Sequence, residues 1–561
     1  MILLLGCTGE AGDSNPVAVA AEPEAAFDLA DVQFVGEAVT LDAGDSVGDT
    51  FTWDFGDGES ATGAEVSHTW ATGGRYTVRL TAANADGRSD TADSTIVVVW
   101  EPLATPPASS GRLALLDGVL YAAFPDADEV VVVEDGAVTA RLATCGYPTS
   151  VSAAGTVLAV ACRDDAVELW DTASRTRTAA VTLRWGARPV AVVAAEDGAY
   201  VALAGTGEIV RVEADGSVAL ERVVEDPGGL ALADALYAPR FRSESEGVLY
   251  AGDGEFALPA DPGPDSDTDA RGLPNLLGSV AVRPDGRAVV VAGSKANMDR
   301  GLRRDGLALT FETTSRALLR SLDSTTGEQL ARAYFDNRDH VGAVAFTPLG
   351  DTLLVAHSGA AIVDLLDPFT LTRIGGFQSV GAGLDGLATD GVTAWVLASL
   401  DRELVAYDLT AGNAQVELAR ISFVDEEPLD AELLLGAQVF AGAADPRMST
   451  DAYVSCASCH PDGTEDGRTW DFFDRGEGFR DTQALFAAPA AGPFHWSANF
   501  DEVQDFENAI RAFQEGDGFL SDDDFAAAED PLGEPKAGLS PELDALAAWV
   551  LYQAERVPRS P

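Results

Sequence analysis

Cations are scarce in this chain. Lys and Arg total 36 against 91 Asp and Glu, a formal net charge of −55 over 561 residues. Such a surface repels phosphate rather than neutralising it, which excludes a nucleic acid as partner. It suits a soluble surface in salty water, or the docking of a basic partner protein. Long apolar runs are also missing. No stretch reaches the ~20 residues that a membrane-spanning helix needs, so contact with a membrane is expected only through a lipid anchor. Sulfur is sparse, with five cysteines and three methionines. What is abundant is length, too much for one core, so three or four domains are expected.

With so few cysteines, each position is informative. Cys456 and Cys459 stand in Ser455-Cys456-Ala457-Ser458-Cys459-His460. Cys-x-x-Cys-His is the attachment signature of a c-type haem. Two thiols at this spacing each form a thioether with one vinyl group of a single porphyrin, and the next residue supplies the proximal imidazole. A thioredoxin-like redox pair would follow a strand in a βαβ unit and needs no His after the second Cys. A zinc site needs two more ligands, and no third Cys lies in this region. One haem c is therefore expected, held by Cys456, Cys459 and His460. The motif occurs once.

The flanks extend the pattern. Leu433-Leu434-Leu435-Gly436-Ala437-Gln438-Val439-Phe440, Asp445-Pro446-Arg447-Met448-Ser449 and Val454-Ser455 precede it. Pro461-Asp462-Gly463, Trp470-Asp471-Phe472, Phe479-Arg480-Asp481-Thr482 and Phe494-His495-Trp496 follow. This segment resembles the first haem segment of the bacterial di-haem cytochrome c peroxidases. The missing second Cys-x-x-Cys-His departs from that family and removes its electron-storing second haem. The resemblance implies that Arg480 meets a haem propionate and that Trp496 lines the haem crevice. His495 is the expected sixth iron ligand by inventory, being the one His after His460, in a stretch without Met. Met448 and an open site are the alternatives. An open site would permit peroxide chemistry, with His495, Glu502 or Glu507 as the acid/base candidates.

Cys145 and Cys162 have sixteen residues between them. In an oxidising compartment they could close a disulfide worth about 3 kcal/mol; two free thiols are the alternative. Cys7 follows Leu4-Leu5-Gly6, which resembles a lipoprotein processing site, with Thr8 resembling an outer-membrane sorting choice. Only six residues precede Cys7, fewer than the roughly 15–30 of an export signal, so the true start is expected upstream. Haem c is attached outside the plasma membrane. The expected location is the periplasm or cell surface, anchored by lipid to the outer membrane.

The remaining chain divides by pattern. Residues 1–26 are a processing remnant and a small-residue, acidic tether. Residues 27–100 show short alternating strands with Gly/Asp turns. Phe51-Thr52-Trp53-Asp54-Phe55-Gly56-Asp57-Gly58 and His68-Thr69-Trp70 resemble a polycystic-kidney-disease (PKD) domain, an immunoglobulin-like β-sandwich. Trp53 and Phe55 are expected to point inward, and His68 to be structural.

After a Pro-rich linker, residues 110–425 carry a weak repeat of roughly 40 residues. Its strands end in Asp or Glu, as in Val167-Glu168-Leu169-Trp170-Asp171 and Leu404-Val405-Ala406-Tyr407-Asp408. The repeat resembles a YVTN-type or WD-like propeller. Seven units fit, beginning near residues 112, 148, 188, 228, 278, 340 and 382; an array of sandwiches is the alternative. One insert interrupts the repeat and holds Lys295, Arg300, Arg303 and Arg304. It is expected to dock the haem segment, near the propionates, or else to be a solvated loop.

Residues 428–557 read as a mostly helical cytochrome c-like domain. Ser540-Pro541 opens its last helix, and Leu543, Leu546, Ala547, Val550 and Leu551 form its apolar stripe. The expected fold is thus multidomain and mainly β: PKD sandwich, seven-bladed propeller, then an α-helical cytochrome c domain. The expected function is electron transfer to a redox partner protein, with the propeller and PKD domain as docking and spacer modules. A peroxidase-like haem oxidoreductase and a surface adhesion or scaffold protein are the alternatives.

Overall fold

The computed structural model describes residues 21–412 and 414–556. Cys7 and most of the expected tether lie outside them. The chain divides into two compact units, one ending at Trp100 and one beginning at Glu101.

The first unit is a two-sheet sandwich. Five strands order as Val32–Phe34, Ser89–Val99, Gly74–Ala83, Thr50–Asp54 and Ser60–Thr62; Val39–Asp42 pairs with Glu65–His68. Alternation along Thr50–Asp54 sends Trp53 inward, where it joins Leu41, Phe55, Trp70, Leu80 and Ile96 in the core. The two indoles spend their N–H groups on backbone, Trp53 on Gly63 O at 3.0 Å and Trp70 on Phe55 O at 3.2 Å. His68 is structural. Its ring stacks on Phe55 at 3.9 Å, and its Nε2 lies 2.8 Å from Asp57. Burial pushes the Asp57 carboxyl up, but the Glu59 N–H and His68 together hold it below the usual range. At Gly56 the backbone is left-handed (φ +80°) and a Cβ would lie 2.7 Å from Thr77 O, so the turn needs glycine.

The second unit contains seven sheets. Their inner strands begin at Leu113, Pro148, Pro189, Ala231, Leu273, Val341 and Leu384. Six sheets have four strands in consecutive order; the fourth gains Ala108–Ser109 along its inner edge. The fifth begins earlier than the repeat suggests. Its first strand, Leu273–Val282, is interrupted by an irregularity between Asn275 and Ser279, which hides its start from a periodic reading.

Each sheet packs on the next through a separate apolar cluster, and the last packs on the first through Leu397, Leu404, Phe423, Leu113 and Leu120. The sheets therefore form a closed, β-propeller-like ring. Strands covered on both faces read as continuous apolar runs, as in Val130–Val133. Outermost strands such as Arg177–Thr182 alternate between exposed and half-buried. The Asp that ends a third strand caps the turn to the fourth. Asp171 accepts from Ser174 N at 2.7 Å, Asp323 from Thr326 N at 2.8 Å, Asp367 from Phe369 N at 2.9 Å and Asp408 from Thr410 N at 2.7 Å.

Helices gather after the ring, chiefly Ala431–Ala441, Phe506–Ala512 and Pro541–Tyr552. No helix among the described residues is long and apolar enough to cross a membrane.

Cys145 and Cys162 are joined, with Cα atoms 5.8 Å apart. The bond ties the loop entering the second sheet to the end of that sheet's second strand. A Cys145→Ala/Cys162→Ala chain should lose about 3 kcal/mol, read as a lower denaturant midpoint. Reductant should bring the wild type to the same midpoint and leave the variant unmoved.

Candidate cofactor-attachment site

Two crossing helices build the platform. Asp430 caps Ala431–Ala441 by accepting from Leu433 N at 2.8 Å. Ser540 caps Pro541–Tyr552 by accepting from Leu543 N at 3.3 Å, with Pro541 in the first turn. They touch at Gly436, where a Cβ would lie 2.0 Å from Ala545 O, so only glycine permits this approach. Phe440, Met448, Ile510, Leu543, Leu546 and Trp549 form the core between them. Leu551, expected in the apolar stripe, is exposed, and Trp549 takes the buried place.

The side chain of Cys456 packs against this core. Cys456–Cys459 forms a single helical turn, opened by Ser455, whose N–H donates to Ser458 Oγ at 3.0 Å. His460 N donates back to Cys456 O at 3.0 Å. Both thiols are unpaired and half-buried. Burial pushes the Cys456 thiol up to about 12 and raises that of Cys459 too. Burial also lowers His460 to about 4. At neutral pH the turn therefore presents two neutral thiols and a neutral imidazole, the form in which histidine ligates metal. His460 Nδ1 is buried without a hydrogen-bond partner.

The attachment turn is held against the ring by loops that join second to third strands. Arg163 bonds Asp462, Arg242 bonds Glu465, and Arg468 donates to Ser243 O. Asn275 Nδ2 donates to Asp466 O at 2.9 Å. The cationic insert also docks here, by its own chemistry. Arg303 N donates to Asp471 at 2.7 Å, and the Arg303 and Arg304 guanidiniums lie 5.0 and 5.2 Å from the rings of Phe473 and Phe479. Arg300 turns inward to Asp265 at 2.7 Å. Lys295 is wholly buried and donates to Thr313 O at 2.8 Å.

The other expected site residues are placed as follows. Met448 lies fully in the helical core. His495 packs between Phe500 and Phe506 and its Nδ1 lies 3.1 Å from Asn499 Oδ1; burial lowers it. Arg480 donates to Phe479 O at 2.9 Å and lies 3.4 Å from Glu477. Trp496 is 57 % exposed and donates to Asp481 O at 2.8 Å. Glu502 accepts from Lys536 N and Ala537 N. Glu507 is fully buried and accepts from Arg511 Nε, Phe519 N and Leu520 N at 2.8–3.1 Å. Both glutamates accept from backbone N–H groups, and Glu507 also pairs with Arg511.

Three features had no reading in the sequence. Lys536 is wholly buried and pairs with Asp505 at 2.7 Å. Asp466 lies two residues before Arg468, whose N–H it accepts at 2.8 Å, and takes the Trp470 Nε1–H at 3.0 Å. A cavity of about 900 Å³ runs along the ring's axis, lined by inner strands of all seven sheets and closed at one end by Ala457, Ser458, Pro461 and Gly463. A signal existed only for Lys536: the chain has two lysines, Lys295 and Lys536, and a residue type this rare is seldom placed for solubility.

Burial raises Asp466 to about 6 against its hydrogen bonds from Thr482, Arg468 N and Trp470. A carboxyl raised on folding imposes no cost below its unfolded pKa and a growing one as pH rises through its folded pKa. Relative to Asp466→Asn, the wild type should lose about 2–3 kcal/mol between pH 3 and pH 7, measured by denaturant unfolding across that range.

Residues 13–99 match the model of the PKD domain. No curated protein matches the chain. Among solved structures it is similar to Kuenenia stuttgartiensis hydrazine synthase, at 13% identity over 55% of this chain and 97% of that one, with a TM-score of 0.44. It is also similar to the computationally designed Ika8 protein, at 12% identity over 59% and 91%, TM-score 0.39. A third is Hsv2 of Kluyvelomyces marxianus, at 10% identity over 57% and 100%, TM-score 0.38.

Proposed function

We propose that the chain is an exported c-type cytochrome that passes electrons through one covalently held haem, with a YVTN-type propeller as its docking module and the PKD unit as a spacer. One observation carries the reading: two unpaired thiols and a neutral imidazole share one capped helical turn. In a neutral imidazole one nitrogen carries the proton and the other keeps a lone pair, and that lone pair is what ligates a metal.

The residues fit the group. Cys456 and Cys459 would hold it by thioethers and His460 would supply an axial nitrogen. A haem so held supplies a one-electron iron couple. The crossing helices keep water from the Cys456 side, and the arginine-to-carboxylate bonds at Asp462 and Glu465 hold the turn on the ring. Electron transfer is preferred to peroxide chemistry because Glu502 and Glu507 serve as backbone acceptors. The net charge of −55 favours a basic redox partner, drawn in by long-range attraction. Lipid attachment at Cys7 would keep the molecule at the outer membrane.

Expressed with a haem-maturation system and denatured, the chain should keep its colour through acid–acetone extraction. Cys456→Ala/Cys459→Ala should release it. A colourless wild type overturns the proposal. His495 is proposed as the second axial ligand, so His495→Ala should convert a low-spin ferric spectrum to a high-spin one; an unchanged spectrum would assign that position to Met448 or leave it open.

A further inference from the structure

At the turn Cys456–Cys459 the axial cavity ends beside a pair of arginines stacked on one ring. Arg163 and Arg556 both lie on the ring of Tyr147, with guanidinium carbons 4.2 and 4.6 Å from its centroid. Their side chains are 11 % and 9 % exposed. Among the described residues one carboxylate meets both: Asp462 bonds Arg163 and lies 4.0 Å from Arg556 Nη2. Arg556 otherwise reaches Gln553 Oε1 at 3.3 Å and the Trp549 ring at 4.8 Å. Its Nε is buried without a hydrogen-bond partner, and Arg556 lines the cavity.

The neighbouring arginines on the same lining are satisfied. Arg112 has Asp385 at 2.7 Å, and Arg402 has Asp126 at 2.9 Å and Glu427 at 2.8 Å. Among the described residues the two guanidiniums thus share one direct ion-pair partner, Asp462, with Asp126 acting on both from a greater distance. Burial lowers both to about 10, which leaves them charged at neutral pH. A buried cation short of its partner is costly unless an anion meets it. Guanidinium is the side chain best suited to a planar carboxylate or an oxyanion, because its N–H fork matches two oxygens at once.

We propose that this end of the axial cavity binds a small anion, a carboxylate or oxyanion, with Arg556, which lines it, as its charge partner, Arg163 adding charge from the same ring, and Tyr147 as the platform that fixes both forks. The anion has two possible sources. One is a carboxylate of the haem attached at the adjoining turn, which rests on the reading above. The other is a free anion that enters along the cavity.

Inorganic phosphate is the probe, titrated calorimetrically into the full chain at neutral pH and low chloride. Both the haem-loaded chain and Cys456→Ala/Cys459→Ala are measured. Phosphate binding to both assigns the free source. Binding to the haemless variant alone assigns the haem carboxylate. Binding to neither overturns the proposal. In whichever form binds, Arg556→Gln and Arg163→Gln should each weaken phosphate at least tenfold, and Arg556→Lys should recover part of the loss. Equal affinity in all variants overturns the assignment to these residues. A chain that takes up no haem yet binds phosphate removes the haem reading and leaves this one standing.

Discussion

A ring of sheets exists only if its last member packs on its first. Here that closure is apolar, Leu397, Leu404 and Phe423 against Leu113 and Leu120, with Arg112 and Asp385 adding a charged tie at the axis. No strand crosses between the two sheets, so side chains hold the joint, by apolar burial and by ties such as Arg112 to Asp385 and Arg402 to Asp126. The other six joints are alike, and each adds one more apolar layer. The arrangement protects the inner edges of the sheets and leaves a lined axial space. Everything placed on the ring's loop face, including the attachment turn, takes its position from this closure.

The second level of organisation is electrostatic. The chain is strongly acidic, and several of its few cations sit at joints. Arg163, Arg242 and Arg468 tie the segment after His460 to two loops of the ring, one carrying Arg163 and one carrying Arg242 and Ser243. Arg303 and Arg304 grip the hairpin of Thr469–Phe472 and Gly478–Asp481 through a carboxylate and two aromatic rings. A pair of this kind, partly desolvated and hydrogen-bonded, is far less screened by salt than one on open surface. The two parts of the second unit therefore behave as one body and not as tethered domains.

How much of this could be read in advance depended on how local the signal was. The Asp that ends each third strand was legible because its partner, the N–H two or three residues on, lies in the same turn. The sandwich core was legible from the alternation around Trp53, since a strand's two faces are written in its own sequence. Long-range pairings were not. The insert was expected to dock on residues 428–557 and does so, but nothing in a cluster of arginines says that Asp471, Phe473 and Phe479 will be its partners. Glu502 and Glu507 looked free for chemistry because their acceptor roles depend on backbone N–H groups of residues 519, 520, 536 and 537, which folding brings near. The start of the fifth sheet was misplaced by an irregular strand, a departure from the very period used to find it.

The economy of cations has one practical side. Both lysines, Lys295 and Lys536, have no exposed surface at all, and every cation on the outside is a guanidinium. Reagents that acylate primary amines, and aldehyde fixatives that depend on them, find no side-chain target on the folded exterior. Modification of either lysine would instead mark the moments when the ring's fifth sheet or the helical core opens, so a common surface label becomes here a clock for local unfolding.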